Sequence, residues 1–438
     1  MIVDGTGQAR DMNADVVVIG GGIVGCAAAW YLAKRNVDVV LVEKGDIADE
    51  QSSRAWGFVR QQARDPAEMP LMIACNRIWQ QLEDELDADI QWVQAGNLAL
   101  AADEARMQQF RDWLPVAREF NLETRLLSRS EILSLVPKMT GPYIGGMYTP
   151  SDGHAEPRLA TVAFADAARR KGARILTYHA AEKIETTAGQ VSAVVTDRGV
   201  VRTPIVINAA GARAMTIARM VGLSLPQLVV RATVAETTPM EPVTGAGVWG
   251  PGVSFRQKKD GSFYIAGGAQ SDYDITLDSL RYIREFMPNY LKNRRFFRMR
   301  VGAPLWHDIA RRIPGTEDNK HPFARTVGIE PTPNAGTVLR SLKGLNRLIP
   351  ATSELRIRRS WAGLIDTTPD AIPVIGPVDA PQGFIFATGF SGHGFAMGPI
   401  VGKVLAELIV DGAPSIDLHD LAYSRFAEGR VGKPKSVV

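Results

Sequence analysis

Cysteine is almost missing from this chain. Its 438 residues hold two, Cys26 and Cys75. That excludes a disulfide-built scaffold and a cysteine-rich metal centre. Histidine is scarce as well, with six scattered copies, none at the spacing of a metal-binding helix, so no metal site is expected. Neither sign of charge dominates. Fifty Lys and Arg face 47 Asp and Glu, and the net charge of +3 is too small to imply a nucleic-acid partner. Long apolar runs are absent with one exception, residues 16–33. A secretory signal carries its basic residues ahead of such a run. Here Asp15 stands ahead, and Lys34 and Arg35 follow. No other segment is long enough to cross a bilayer. A chain with no membrane span and a cytoplasmic location is the expectation. Apolar residues at 45% and charged residues at 22% are those of an ordinary globular protein. The length allows two or more domains, and no repeat or low-complexity tract interrupts it.

The exceptional run is informative for another reason. Val16 to Ile19 is a short apolar stretch that meets the glycines Gly20-x-Gly22-x-x-Gly25. An alanine-rich helical segment follows, then a second apolar stretch, Val39 to Val42, closed by Glu43. This is a strand–turn–helix–strand unit ending in an acid. Gly20 permits the tight turn, Gly22 lets backbone approach a pyrophosphate, and Gly25 lets the helix pack on the strand. The first helical N–H groups, at Ile23 and Val24, face the phosphates. Glu43 is placed to accept from ribose hydroxyls and to repel a 2′-phosphate, which argues against NADP. In the middle of this unit Cys26 reads as a small packing residue, and Cys75 as a core thiol.

Further along, helices are expected at 69–86, 103–120, 129–135, 157–171, 278–300 and 335–348. Strands are expected at 96–101, 173–178, 191–196 and 201–208, the last running into Ala210 and Gly211. Residues 225–270 alternate in a β-rich pattern, with strands at 228–236, 253–257 and 262–267 around the Asp260-Gly261 turn. The stretch 307–334 is rich in Pro, Gly and charge and is read as a long loop. At the C-terminal end, 384–389 reads as a strand, 389–394 (GFSGHG) as a glycine turn, and a helix is expected from near Pro399. GFSGHG is not a nucleophile elbow, since His393 stands where that motif needs glycine. It suits close approach to a planar ring, with the helix aiming its positive end at it. The basic, aromatic stretch 294–300 is read as a helix with Phe296 and Phe297 buried. Arg60 and Arg256, on the residues alone, are ordinary surface arginines that could also bind carboxylates.

Taken together, VVVIGGGIVGCAAAWYLA with Glu43, VINAAGA at 206–212, WAGLIDTTPDAIPVIG at 361–376 and FATGFSGHGFAMGP at 386–399 resemble the flavin-dependent D-amino acid oxidase superfamily. The similarity is greatest to its glycine oxidase and sarcosine oxidase branches. The resemblance implies an α/β fold: a discontinuous Rossmann-like FAD-binding domain (12–84, 145–222 and 356–425) and a β-sheet-based α+β substrate domain formed from insertions (85–144 and 223–355). Residues 1–11 and 426–438 would be tails. It implies FAD contacts at Gly20, Gly22, Ile23, Val24, Gly25, Glu43, Lys44, Ser52, Ser53, Ala210, Gly211, Gly363, Gly392, His393, Gly394 and Phe395. Substrate contacts fall to Arg60, Arg256 and His393. The cysteine that carries flavin covalently in the sarcosine oxidase pattern would fall near Gly363, and neither cysteine is close, so non-covalent FAD is expected. Other positions depart from the pattern. Ala396 follows HGF where a lysine stands, Ile265 stands for a lysine tied to oxygen use, Ala269 or Gln270 for a histidine, and Ile365 for a carboxylate-binding arginine.

The implied reaction is oxidation of the C–N bond of a small amino acid by hydride transfer to the flavin, giving an imine that hydrolyses. A secondary amino acid such as sarcosine or iminodiacetate is the expected substrate, with O2, a quinone or an electron-transfer partner as acceptor. No acid–base side chain is assigned. The alternatives are a D-amino acid dehydrogenase passing electrons to a quinone or partner protein, a flavin-bearing subunit of a larger complex, and an NAD-dependent dehydrogenase that uses only the first glycine motif.

Overall fold

The structure is a computed structural model that describes residues 11–268, 270–294, 297–316, 319 and 330–434. Its organising element is a six-stranded sheet. The strands Val16–Ile19, Val39–Val42 and Phe384–Thr388 are buried over their whole length and apolar except at Thr388. Such runs suit a sheet covered on both faces. The strand order is Val374–Pro377, Phe384–Thr388, Ile205–Asn208, Val16–Ile19, Val39–Val42 and Arg174–Leu176. All neighbours are parallel except the edge strand Val374–Pro377. The sheet thus draws strands from the start, middle and end of the chain, as the discontinuous Rossmann-like expectation requires.

Alternation along each strand sends side chains to opposite faces. Val16, Val18, Val39 and Leu41 pack with the helices Ile23–Lys34, Pro157–Arg170 and Gly394–Asp411. Val17, Ile19, Val40 and Val42 pack towards a four-stranded sheet that includes Ala181–Thr187, Gln190–Thr196 and Gly199–Arg202.

A second, ten-stranded sheet is built around Leu228–Thr237, Val253–Gln257 and Phe263–Ala266. On one face Leu98, Val253, Phe255, Phe263 and Ile265 form a core under the helix Ala335–Leu348, which falls on the expected residues. On its other face Val230, Ala232, Trp249 and Ser254 look into a cavity shared with the first sheet. Two strands, Gly145–Thr149 and Ile357–Thr367, belong to this sheet. The expected domain limits at 145 and 356 place both in the cofactor half.

Other departures have local causes. The expected strand 201–208 is two strands in two sheets, Gly199–Arg202 and Ile205–Asn208, parted at Pro204. Proline has no N–H to give a ladder. The expected helix 69–86 is Met69–Trp79 followed by Leu82–Leu86. The expected helix 278–300 becomes Leu277–Arg281, Ile283–Asn293 and then a strand, Phe297–Arg300, paired with Ser271–Asp274. The sequence Phe297-Arg298-Met299-Arg300 alternates with period two, which suits a strand better than a helix. Phe296 lies outside the described residues. The expected loop 307–334 opens inside a helix, Ala303–Arg312, and 317–318 and 320–329 lie outside the described residues. Among the described residues no helix is long and apolar enough to cross a membrane.

Candidate functional site

Between the two sheets lies a cavity of about 1410 Å³. One end is built by the glycine unit. Gly20 adopts φ +117, and a Cβ there would lie 2.4 Å from the Ala209 carbonyl oxygen. A Cβ on Gly25 would lie 2.0 Å from the Gly20 carbonyl oxygen. Gly25 therefore serves helix–strand packing and does not line the cavity, whereas Gly20, Gly22, Ile23 and Val24 do. The Ser52 hydroxyl accepts from the Ile23 N–H at 2.9 Å, giving the helix Ile23–Lys34 the cap that Gly22 lacks. Ser53 does not line the cavity; its hydroxyl donates to the Glu50 carbonyl. Glu43 accepts from the Gly21 N–H at 2.7 Å and the Gly45 N–H at 2.8 Å, one bond to each carboxylate oxygen. Burial raises its pKa, against the lowering effect of those two bonds. Its position is fixed, and each oxygen keeps a second lone pair for a ribose hydroxyl. Lys44, paired with Glu50, lines this end as well.

The middle and far end are built by Ala210, Gly211, Gly363 and the turn at 389–394. The helix expected from Pro399 in fact begins at Gly394, with His393 as its N-cap. Gly392, His393, Gly394 and Phe395 all line the cavity. Gly392 has φ +90, and its Cβ position is open to within 3.7 Å of Ile365. A Cβ on Gly394 would instead press on Phe390 at 3.1 Å. Two residues the sequence did not single out tie these segments together. Asp366 accepts from the Gly389 N–H at 2.7 Å and from the Gln51 side chain at 2.8 Å. Gln51 in turn accepts from the Ala212 N–H at 2.8 Å.

These parts fit FAD. Glu43 suits the adenosine ribose, and the start of Ile23–Lys34, where Ser52 takes the Ile23 N–H and those of Val24 and Gly25 follow, suits the pyrophosphate. Arg213, which also lines the cavity and whose buried Nε has no partner among the described residues, suits an anion. The backbone of 392–394 suits a planar ring.

Beyond that turn sit charged groups. Arg60 is 5% exposed, far from the surface position its type suggests. It lies over the Trp249 ring at 4.6 Å and donates to the Gln62 carbonyl at 3.0 Å. Burial, with Arg64 adding to it, pushes its pKa well below the ordinary arginine value. His393 Nδ1 stands 2.9 Å from the fully buried Glu68. A carboxylate accepts, so Nδ1 carries the proton and Nε2 is the ring's acceptor. Burial, then the Arg64 charge, push the His393 pKa down to about 4, against the pull of Glu68. Arg64 and Glu68, both unforeseen, follow Arg60 at four-residue steps, and that spacing was the one signal available.

Arg256 requires correction. It pairs with Glu156 at 2.7 Å, donates to the Trp56 carbonyl and stacks on Tyr264. It does not line the cavity. Its donors hold the strand Val253–Gln257 to the segment before Phe58. Ile265 also lies elsewhere: its side chain joins the core under Ala335–Leu348, while Tyr264 and Ala266 take the opposite face. A missing lysine at Ile265 therefore carries no information about oxygen. Ala269 lies outside the described residues, while Gln270 and Ile365 line the cavity. Cys26 donates to the Gly21 carbonyl and Cys75 to the Ala396 carbonyl, and neither lines it.

A cavity held between a parallel sheet with this glycine unit and a mixed sheet above it defines a flavin-dependent oxidoreductase. Residues 15–408 match the family described as FAD dependent oxidoreductase, and the chain belongs to it. FAD is its cofactor. It is 25% identical over 434 residues to mitochondrial sarcosine dehydrogenase of Mus musculus, covering 97% of this chain and 43% of that protein. The chain thus spans less than half the length of that relative. Glycine oxidase of Bacillus subtilis is 26% identical over 405 residues, with 91% and 93% covered. The structure of L-amino acid deaminase from Proteus myxofaciens in complex with anthranilate superposes with a TM-score of 0.88 at 26% identity, covering 97% of this chain and 96% of that one. The NAD-dependent alternative is excluded, because the family match runs far beyond the first glycine motif.

Proposed function

We propose that this protein oxidises the C–N bond of a small amino acid, most suitably an N-substituted glycine such as sarcosine or iminodiacetate, with FAD held non-covalently. The observation that carries this is Arg60, buried, without an ion pair among the described residues, and lining the same cavity as the 392–395 turn. When bound, FAD supplies the two-electron acceptor for the α-hydrogen. The chain's own residues bind and orient. Arg60 offers a planar pair of donors to the substrate carboxylate. Trp249 beneath it keeps water away and holds the guanidinium plane. His393, neutral above about pH 4, presents an acceptor for the substrate amine and is held by Glu68. Loss of the α-hydrogen with its electron pair and of the amine proton leaves an imine, which water splits into a 2-oxo acid and an amine. The relatives that act on sarcosine, glycine and other amino acids support the amino-acid class, and the absence of either cysteine from the cavity supports non-covalent FAD.

A second possibility concerns the acceptor: a partner protein or quinone in place of O2, as in a dehydrogenase or a flavin-bearing subunit of a larger complex. One observation favours it. Large apolar side chains are exposed in number along 280–313, including Leu280, Leu291, Val301, Trp306 and Ile313, and contiguous exposed apolar surface marks interaction sites. Glyoxylate release from sarcosine or iminodiacetate, measured with O2 alone and with an added artificial electron acceptor, tests both points. Glyoxylate under neither condition would refute the N-substituted glycine assignment, and rapid release with O2 alone would refute the partner.

A further inference from the structure

Arg60 has a companion at this end of the cavity. Arg64 is 3% exposed and lines the same space. Its Nε donates to the Arg60 carbonyl at 3.2 Å, and its Nη1 is buried with no partner among the described residues. Neither arginine forms an ion pair among the described residues; the Asp152 and Glu68 charges act on both, but the hydrogen bonds of those acids go to other groups. Asp152 accepts from the N–H groups of Gln61 and Gln62 at 2.8 and 3.2 Å, and Glu68 faces His393. Two more polar atoms are partnerless among the described residues. Trp249 and Ser254, directly opposite in neighbouring strands, line the cavity, and their Nε1 and Oγ are buried without a partner.

Buried donors are normally satisfied, and a buried cation normally meets an anion. One carboxylate has about four lone-pair sites. The remaining N–H groups of Arg60, with Arg64 Nη1, Trp249 Nε1 and Ser254 Oγ, outnumber them. A single carboxylate would also leave one guanidinium without an anion in contact. We infer that Arg60 and Arg64 form a paired carboxylate site, and that the substrate is an amino acid bearing a second carboxylate on its nitrogen substituent or side chain. This rests on the amino-acid oxidation proposed above and narrows it from monocarboxylates such as sarcosine to dicarboxylates.

The test uses the FAD-loaded protein and two ligands that have no nitrogen to oxidise. Oxydiacetate carries two carboxylates and methoxyacetate one, and their Kd values are compared by titration calorimetry. In the unmodified protein oxydiacetate should bind at least about 30-fold more tightly, the lower end of what a desolvated charge pair contributes. Arg64→Met should reduce that preference to within about threefold and leave methoxyacetate binding little changed. Arg64→Lys should keep an intermediate preference, since it retains charge and loses the planar fork. Equal affinity for the two ligands in the unmodified protein would overturn the inference without any variant, and so would an undiminished preference in Arg64→Met. Binding is read apart from turnover. A dicarboxylate preference in a protein whose flavin no amino acid reduces would therefore sink the oxidation proposal and leave the paired site standing.

Discussion

Arginines show how the residue scale splits into what a sequence reveals and what it hides. Arg60 and Arg256 are equal as residue types, yet one lines the cavity with no ion pair among the described residues and the other is tied to Glu156. The difference lies in a partner 100 residues distant in the chain, and no local pattern encodes it. Arg60→Ala should keep its FAD and weaken amino-acid binding by about 2–5 kcal/mol, or 30- to several-thousand-fold. Arg60→Lys should recover part of that. Unchanged KM in Arg60→Ala would remove it from the substrate site. His154 offers a second residue-scale expectation. It is 2% exposed, its Nε2 bonds the Gly245 carbonyl and its Nδ1 has no partner among the described residues. Burial, then the Arg256 charge, push its pKa from 6.5 to about 3. The folded protein resists a proton that the unfolded chain accepts, so the contribution to stability is whole above pH 6.5 and is lost as pH falls towards 3. His154→Gln cannot titrate. Its Tm should therefore drop less than that of the unmodified protein between pH 7 and pH 5, and equal drops would contradict the assignment.

At the scale of elements, the legible parts were those with one strong periodicity. The glycine unit, the strand Val253–Gln257 and the helix Ala335–Leu348 lie where pattern and spacing place them. Boundaries set by tertiary contacts were not legible. The C-terminal helix starts five residues before Pro399, because the 389–394 turn is anchored by Asp366 and feeds straight into it. Proline is tolerated there although it leaves the Phe395 carbonyl without its helical donor. The most exacting element contact is Gly25 against Gly20. Gly25→Ala puts a methyl carbon 2.0 Å from a backbone oxygen that cannot retreat without moving the first strand. Destabilisation of about 1–3 kcal/mol or more is expected, together with lowered FAD content, because the N–H groups of Ile23 and Val24 would shift. Chemical denaturation and flavin quantitation check this. Full stability with full FAD content would show that the helix and strand are not locked at this point.

For the whole molecule, the sequence revealed that cofactor segments recur at the start, middle and end, and the six-stranded sheet assembles them. It did not reveal that Gly145–Thr149 and Ile357–Thr367 cross into the other sheet. Alternation specifies which face of a strand is buried and is silent about which sheet the strand joins. That crossing matters for function, since Ile357–Thr367 carries Gly363 and Asp366 to the junction where the cavity lies. With both cysteines outside that cavity, acid precipitation should release all the flavin colour into the supernatant, and colour kept in the pellet would refute non-covalent binding. The central claim is that the bound flavin takes electrons from a small amino acid oriented by its carboxylate. Anaerobic mixing of the FAD-loaded protein with a panel of amino acids and carboxylate-free amines, followed by the visible absorption of oxidised flavin, tests it without any assumption about the acceptor. Bleaching by one or more amino acids, and none by the matched amines that lack a carboxylate, is the expected result. A flavin that no amino acid bleaches, or that amines without a carboxylate bleach equally well, would contradict it.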